Sequence, residues 1–312
     1  MYISDVAYYL PETVISNDYF EGLNGLTDSW IVERTGIKER RRAAEGENSH
    51  TMAVEAVKVL QKTVDLSKTD LIVAGSYTPY DTVSTIAHQI QHHLDIEDVP
   101  AVYISAACSS FANAVELAEG YFAMNKATDA LIVLVEHNTA YNNDTNTKSG
   151  HLWGDGAAAI RITKEKISED SVEVIQVKTG GAATVGRGIN GVVLRPFDGG
   201  LTMPNGRDVF INACNYMAKT TIDILEKNNL SMKDLDYLIT HQANLRIAKN
   251  VVENLQLPLE KTLNNIEYLG NTGCAGSGIV LAENWNKFKK GDNIVVTVFG
   301  GGYSYGTMLL KK

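Results

Sequence analysis

The sequence predicts an α/β protein made of two similar halves, each built on a mixed or parallel sheet. Three observations carry that expectation. Strand-like apolar runs alternate with amphipathic stretches of helical spacing. Several of the runs are continuously apolar, the pattern of strands buried on both faces. Features of the first part of the chain also recur some 163 residues later.

In chain order, the expected strands are "DLIVAGSY" (70–77), "VPAVYIS" (99–105), "ALIVLVEH" (130–137), "AAAIRIT" (157–163) and "VEVIQVK" (172–178). "LDYLITH" (235–241), "NIVVTVFG" (293–300) and "TMLLK" (307–311) complete the set. Between the first strands and the start, "TMAVEAVKVLQKT" (51–63) places Met52, Ala56, Val59, Leu60 and Thr63 at helical spacing. Leu66 opens "LSKTDLIVAGS" and Leu230 opens "LSMKDLDYLITHQ", 164 residues apart. Asp129 and Asp292 each precede an apolar strand, 163 residues apart. These pairs divide the chain into halves 1–165 and 166–312. The same offset carries Cys108 onto Asn271, so halves packed about a pseudo-twofold axis would bring the two together.

The chain has 312 residues, of which 44% are hydrophobic and 21% charged, enough for a large core or two domains. A net charge of -9 argues against a nucleic-acid partner. The start lacks the basic-then-apolar pattern of a signal peptide, and the longest apolar run, "ALIVLV", is too short to span a bilayer. Three widely spaced cysteines, Cys108, Cys214 and Cys274, fit neither a disulfide framework nor a metal-ligand pattern. The expectation is a reduced, cytoplasmic protein with no membrane partner and no metal.

Four places could carry chemistry. Cys108, in "SAACSSFANAVELAEG", stands between a strand and a helix. The free N–H groups and dipole of a helix N-terminus favour a thiolate there, although a small buried hydrophobe is the competing reading. His241 follows a strand and opens "HQANLRIAKNVVENL", a strand-to-helix junction of the kind that hosts sites in α/β sheets; a capping histidine is its alternative. Asn271 lies in "GNTG", which could be a plain turn. "FGGGYSYG" (299–306) lets backbone pass close to another group, either as an oxyanion donor or as a tight hairpin. No dinucleotide or phosphate-loop fingerprint is present.

Taken in order, "AACSSF", "HQANLRI", "GNTG" and "FGGGYSYG" resemble the β-ketoacyl-acyl-carrier-protein synthase III family of thiolase-fold condensing enzymes. "WIVERTGIKERR" (30–41), "HQIQHHL" and "GDGAAA" also correspond, so the resemblance spans essentially the whole chain. It implies a thiolase-like fold with layers αβαβα, two halves and a homodimer. It also implies an acyltransferase that performs a decarboxylative Claisen condensation. Cys108 would carry the acyl group, and the N–H groups of Cys108 and Gly301 would form the oxyanion hole. His241 and Asn271 would stabilise the enolate of a malonyl thioester. Trp30 and Arg34 would hold coenzyme A, with Arg207 and Arg246 as further contacts for phosphate or carrier protein. The resemblance implies no cofactor; coenzyme A or acyl-carrier-protein thioesters are the substrates.

Some positions depart from the family pattern. Thr147 and Lys148 stand where an arginine often flanks the adenine, and Ile211 and Glu253 stand where lysines often face the carrier, leaving Lys249 as a substitute. Val83 replaces a bulky aromatic that closes the neighbouring subunit's acyl pocket, which implies a longer or unusual starter. Cys274 has no role beyond packing. These departures leave open a specialised condensing enzyme of a secondary pathway, polyketide-like or of resorcinol or quinolone type. A non-catalytic partner subunit is the other alternative, and the retained Cys108, His241 and Asn271 speak against it.

Overall fold

The computed structural model describes residues 1–312. Ten strands form one long sheet: β1 (Tyr2–Tyr9), β2 (Leu71–Gly75), β3 (Ala101–Ile104), β4 (Asp129–Glu136), β5 (Gly156–Thr163), β6 (Val172–Gly181), β7 (Tyr237–Thr240), β8 (Thr262–Leu263), β9 (Asn293–Phe299) and β10 (Ser304–Lys311). Seven helices matter here: α1 (Asp28–Thr35), α2 (Ser49–Gln61), α3 (Ile86–Leu94), α4 (Ser110–Ala123), α5 (Gly206–Lys227), α6 (Leu245–Asn254) and α7 (Ala275–Glu283).

The strand order is β8-β7-β9-β10-β6-β1-β5-β4-β2-β3. On either side of the β6–β1 seam the same pattern is written twice. β2 pairs in parallel with β3 and β4, and β5 runs antiparallel to β4 and β1. In the other run β7 pairs in parallel with β8 and β9, and β10 runs antiparallel to β9 and β6. Only Tyr2 with Glu173 and Ile3 with Val172 join the two runs across β1 and β6.

Side-chain alternation explains the layering. Along β4, Ala130, Ile132 and Leu134 enter the central core, while Leu131, Val133 and Val135 enter an outer one with α2 and α3. Along β9, Ile294, Val296 and Val298 face the central core, while Val295 packs outward with α5 and α6. The central core is completed by α4 and α7, so the layers run helix, sheet, helix, sheet, helix. Every residue of α7 from Ala275 to Leu281 is buried, as a helix apolar all round requires, whereas α6 hides one face only. Truncating Leu134, fully buried in the central core, would cost roughly 2–5 kcal/mol.

Local chemistry sets the helix starts. Asn48 caps α2 through a reciprocal pair: Thr51 N–H donates to Asn48 Oδ1 at 3.2 Å, and Asn48 N–H donates to Thr51 Oγ1 at 2.8 Å. The eight expected strands are present within a few residues. β1 and β8 escaped the sequence reading. Asp5 interrupts β1 beside a register shift and pairs with Arg161 at 3.7 Å, and β8 is two residues long. No helix is long and apolar enough to cross a membrane.

Candidate active site

Four chain segments meet at one cavity of about 80 Å³. Cys108, His241, Asn271, Gly300 and Gly301 line it, together with an apolar wall that includes Trp153, Phe210 and Phe299.

Cys108 sits two residues ahead of α4, whose N-cap is Ser109. Ala107 before it has φ 49°, a left-handed conformation that a side chain resists; strain of this kind costs on the order of 1–3 kcal/mol. Hydroxyls hold the loop in place: Ser109 Oγ donates to Ala106 O at 2.8 Å, and Ser304 Oγ donates to the same carbonyl at 2.7 Å. The glycine-rich loop after β9 therefore lies against the cysteine loop. A Cβ on Gly300 would stand 2.6 Å from Cys108 N, so only glycine permits this approach. The backbone N–H groups of Gly301 and of Cys108 itself are both directed at the sulfur.

Cys108 is 8% exposed, enough to face the cavity. Its proton affinity corrects the sequence reading. Burial pushes the thiol up to about 12, and the Glu136 carboxylate adds to the rise. Hydrogen bonding from Tyr77 and the two backbone N–H groups opposes it and loses. The resting residue is a thiol, and the helix N-terminus does not make it a free thiolate.

His241 closes β7, and its N–H donates to Thr297 O at 2.8 Å. Helix α6 begins later, at Leu245, with Asn244 as its cap, so His241 stands ahead of a turn and does not open the helix. Burial lowers the imidazole to about 4, and its Nδ1 has no protein partner. The ring is neutral and offers one N–H donor.

Asn271 is held by its backbone. Its N–H donates to Leu152 O at 2.8 Å, and its carbonyl accepts from Gly154 N–H at 3.0 Å and from Asn138 Nδ2 at 3.2 Å. Its side-chain Oδ1 accepts from Gly273 N–H at 2.9 Å. That bond fixes the flip of the amide and leaves Nδ2–H₂ as a free donor. Asn271 lies four residues ahead of α7, so its loop and the Cys108 loop are equivalent in place but not residue for residue.

The remaining expected residues surround the site. The Arg34 guanidinium lies 4.4 Å from the Trp30 ring, and Arg34 O accepts from Asn244 Nδ2 at 3.1 Å; Asn244 is a wall residue. Arg246 is exposed, 5.9 Å from the ring of Phe210, another wall residue, and Arg207 is exposed next to Gly206. Val83 is 85% exposed on a loop capped by Asp81 and does not line its own chain's cavity. Thr147, Lys148 and Glu253 are exposed, and Ile211 is 47% exposed. No group of three His, Cys, Asp or Glu side chains gathers as a metal site.

The sequence reading missed the apolar wall, Trp153 included, and the polar groups Tyr77, Glu136 and Asn138. One signal was in view. "ALIVLVEH" ends an otherwise apolar, doubly buried strand on a carboxylate, and Glu136 is fully buried.

The comparisons with known proteins agree with this geometry. The family described as 3-oxoacyl-[acyl-carrier-protein] synthase III matches residues 103–182, and its C-terminal counterpart matches residues 225–312. A β-ketoacyl-[acyl-carrier-protein] synthase III from Clostridium perfringens is 35% identical, covering 97% of this chain and 96% of that one. The protein of that name from Coxiella burnetii is 33% identical over 99% and 98% of the two chains. The crystal structure of 3-oxoacyl-[acyl-carrier-protein] synthase III from Aquifex aeolicus superposes with a TM-score of 0.92 at 31% identity, covering 100% of this chain and 99% of that one. With the layered thiolase-like fold in place, the chain belongs to the β-ketoacyl-[acyl-carrier-protein] synthase III family.

Proposed function

We propose that this condensing acyltransferase of fatty-acid synthesis works through Cys108, His241 and Asn271 in two half-reactions. The observation that carries the reading is their convergence: one cavity collects a thiol, a neutral imidazole and a free amide donor from three separated segments. Residues 1–165 form the half that supplies the nucleophile, and residues 166–312 form the half that supplies the two donors.

In the first half-reaction the Cys108 sulfur attacks an acyl thioester. An S–C bond forms, the substrate C–S bond breaks, and the thiol proton ends on the departing thiolate. The N–H groups of Cys108 and Gly301 receive the oxyanion. In the second, a malonyl thioester loses carbon dioxide and becomes an enolate. His241 N–H and Asn271 Nδ2–H donate to its oxygen, and its carbon attacks the acyl-cysteine. The β-ketoacyl thioester leaves, and the sulfur takes up a proton. Decarboxylation itself generates the carbanion, so no general base is required, and two neutral donors suit the step.

Acyl-coenzyme A is the proposed donor, gripped by Trp30 and Arg34, with Arg207 and Arg246 meeting phosphate or an acyl carrier protein at the rim. No further cofactor enters. A homodimer would bring Val83 to the neighbouring subunit's acyl pocket. The complete Cys–His–Asn set disfavours a non-catalytic partner subunit, and the names of the relatives disfavour a specialised secondary-pathway enzyme. Intact-protein mass spectrometry with acyl thioesters tests the division of labour. His241→Ala is expected to keep the acyl adduct on Cys108 while condensation falls by about 10²–10³. Equal loss of both half-reactions would overturn it.

A further inference from the structure

The two donors proposed for the enolate stand on different loops, and one side chain ties those loops together. Gln242 directly follows His241 and is fully buried. Its Nε2–H donates to Thr240 O at 2.7 Å, and its Oε1 accepts from Asn265 N–H at 3.0 Å. Both ends of the amide are used, and this pattern fixes its flip.

The first bond closes the backbone around His241. Thr240 is the last residue of β7, so its carbonyl lies immediately ahead of the histidine. That carbonyl also accepts from Ser277 Oγ on α7 at 3.3 Å. His241 N–H donates to Thr297 O on β9 at 2.8 Å. The imidazole lacks a comparable anchor, because Nδ1 is buried without a protein partner. The ring takes its aim from the backbone that carries it, and Gln242 pins that backbone on its C-terminal side.

The second bond reaches toward the other donor. Asn265 is the N-cap of a one-turn helix, Ile266–Leu269, and Gly270 is its C-cap. Leu269 N–H donates to Asn265 O at 3.0 Å, and Gly270 N–H donates to Ile266 O at 3.0 Å. Asn271 comes next, so holding Asn265 holds the segment that delivers the amide donor. Packing supplies another tie. A Cβ on Gly276, in the first turn of α7, would lie 2.9 Å from Gln242 Cβ and 2.8 Å from Thr272 Oγ1. Thr272 adjoins Asn271, so Gln242 and the neighbour of the amide donor press on the same point of α7.

We propose that Gln242 is a positioning residue that sets His241 and Asn271 relative to each other, so that both N–H donors meet one enolate oxygen. This rests on the donor roles proposed for those two residues. Preorganised donors help only when they converge on the atom where charge develops, and a displacement of about 1 Å can cost about 10² in rate. A buried amide is costly unless its ends are hydrogen-bonded, and here both ends are bonded where the two donor-bearing segments meet. Cys108 and Gly301 stand on other loops, ahead of α4 and after β9, with no bond to Gln242. The effect of Gln242 is accordingly confined to the second half-reaction.

The test uses Gln242→Met, which keeps the length and apolar stem of the side chain and removes both hydrogen bonds. Acyl loading of Cys108 is followed by intact mass, condensation of the loaded protein with a malonyl thioester is followed by product, and a thermal melt is run alongside. Condensation kcat is expected to fall about 10- to 100-fold, with KM for the malonyl thioester and the rate of acyl loading each within about threefold of wild type. A merely structural role would lower the melting temperature and change both half-reactions by one factor, or change neither. Either result overturns the proposal, and so does a loss carried by KM alone. If Gln242→Met does not fold, Gln242→Asn decides: it keeps the amide but is one methylene too short to span Thr240 O and Asn265 N–H. The same split supports the proposal there, and wild-type rates or an undivided loss overturn it. The functional reading fails separately, when His241→Ala loses both half-reactions equally.

Discussion

Two cysteines stand at the starts of the two central helices, and only one of them faces the cavity. Cys108 precedes α4 by two residues, and Cys274 is the N-cap of α7. Cys108 follows a strained Ala107, meets two backbone N–H groups and opens on the cavity. Cys274 is 1% exposed, and its thiol is turned toward Gly75 O and Glu136. Burial and the same carboxylate push it well above an ordinary thiol. The lesson is that a helix N-terminus does not by itself make a nucleophile. Only Cys108 combines directed donors with an opening, and the second loop uses its equivalent place to present Asn271.

The sharpest way to break this comparison is to exchange the two sulfurs' fates. Cys108→Ala is expected to abolish acyl-adduct formation, a loss of at least about 10³ in acylation rate, while Cys274→Ala should keep acylation within about threefold. An adduct on Cys274 in either protein would contradict the assignment. Next in size, Asn271→Asp keeps the acceptor used by Gly273 N–H and removes the free donor. Condensation measured with a malonyl thioester should fall by about 10², with acylation little changed. Gly300→Ala places a Cβ against Cys108 N and must move one loop. Acylation is expected to drop tenfold or more and stability by about 1–3 kcal/mol in a denaturant titration.

Stability against pH gives a smaller effect with a defined sign. The folded His241 imidazole sits at about 4, below its ordinary 6.5, so the folded protein prefers it neutral. Its contribution is full above pH 6.5 and is lost as pH falls toward 4, amounting to about 3 kcal/mol. His241→Gln should flatten that part of the acid limb in thermal melts; an unchanged limb would show that the ring titrates normally. Smallest is the acyl-length preference. Val83→Phe is expected to shift kcat/KM toward shorter starters by several-fold, and no shift would remove Val83 from the acyl pocket.

Much of the fold was legible because buried strands leave long apolar runs, and "ALIVLV" and "NIVVTVF" are sheet interiors. β1 was hidden because Asp5 interrupts it at a register shift, and β8 because two residues carry no periodicity. Within the site, Cys108 and His241 were legible because each stands after a strand and ahead of a helix, and Asn271 because the 163-residue offset from Cys108 falls on it in "GNTG". The apolar wall was not, since Val192, Met203, Val209 and Ile247 come from loops and helices that only tertiary packing brings together. The acidity of Cys108 was misjudged for a related reason: local sequence shows the helix start, but not the burial of the sulfur or the Glu136 carboxylate whose charge acts on it from another strand.

The measurement that bears most directly on the shared cavity is time-resolved intact mass of the protein, acylated on Cys108 and then given a malonyl thioester. Wild type should lose the acyl mass within turnover time as β-ketoacyl product appears. His241→Ala and Asn271→Asp should retain the adduct at least about 10² times longer. Adduct loss at the wild-type rate in either variant would contradict the claim that sulfur, imidazole and amide act on one reacting centre.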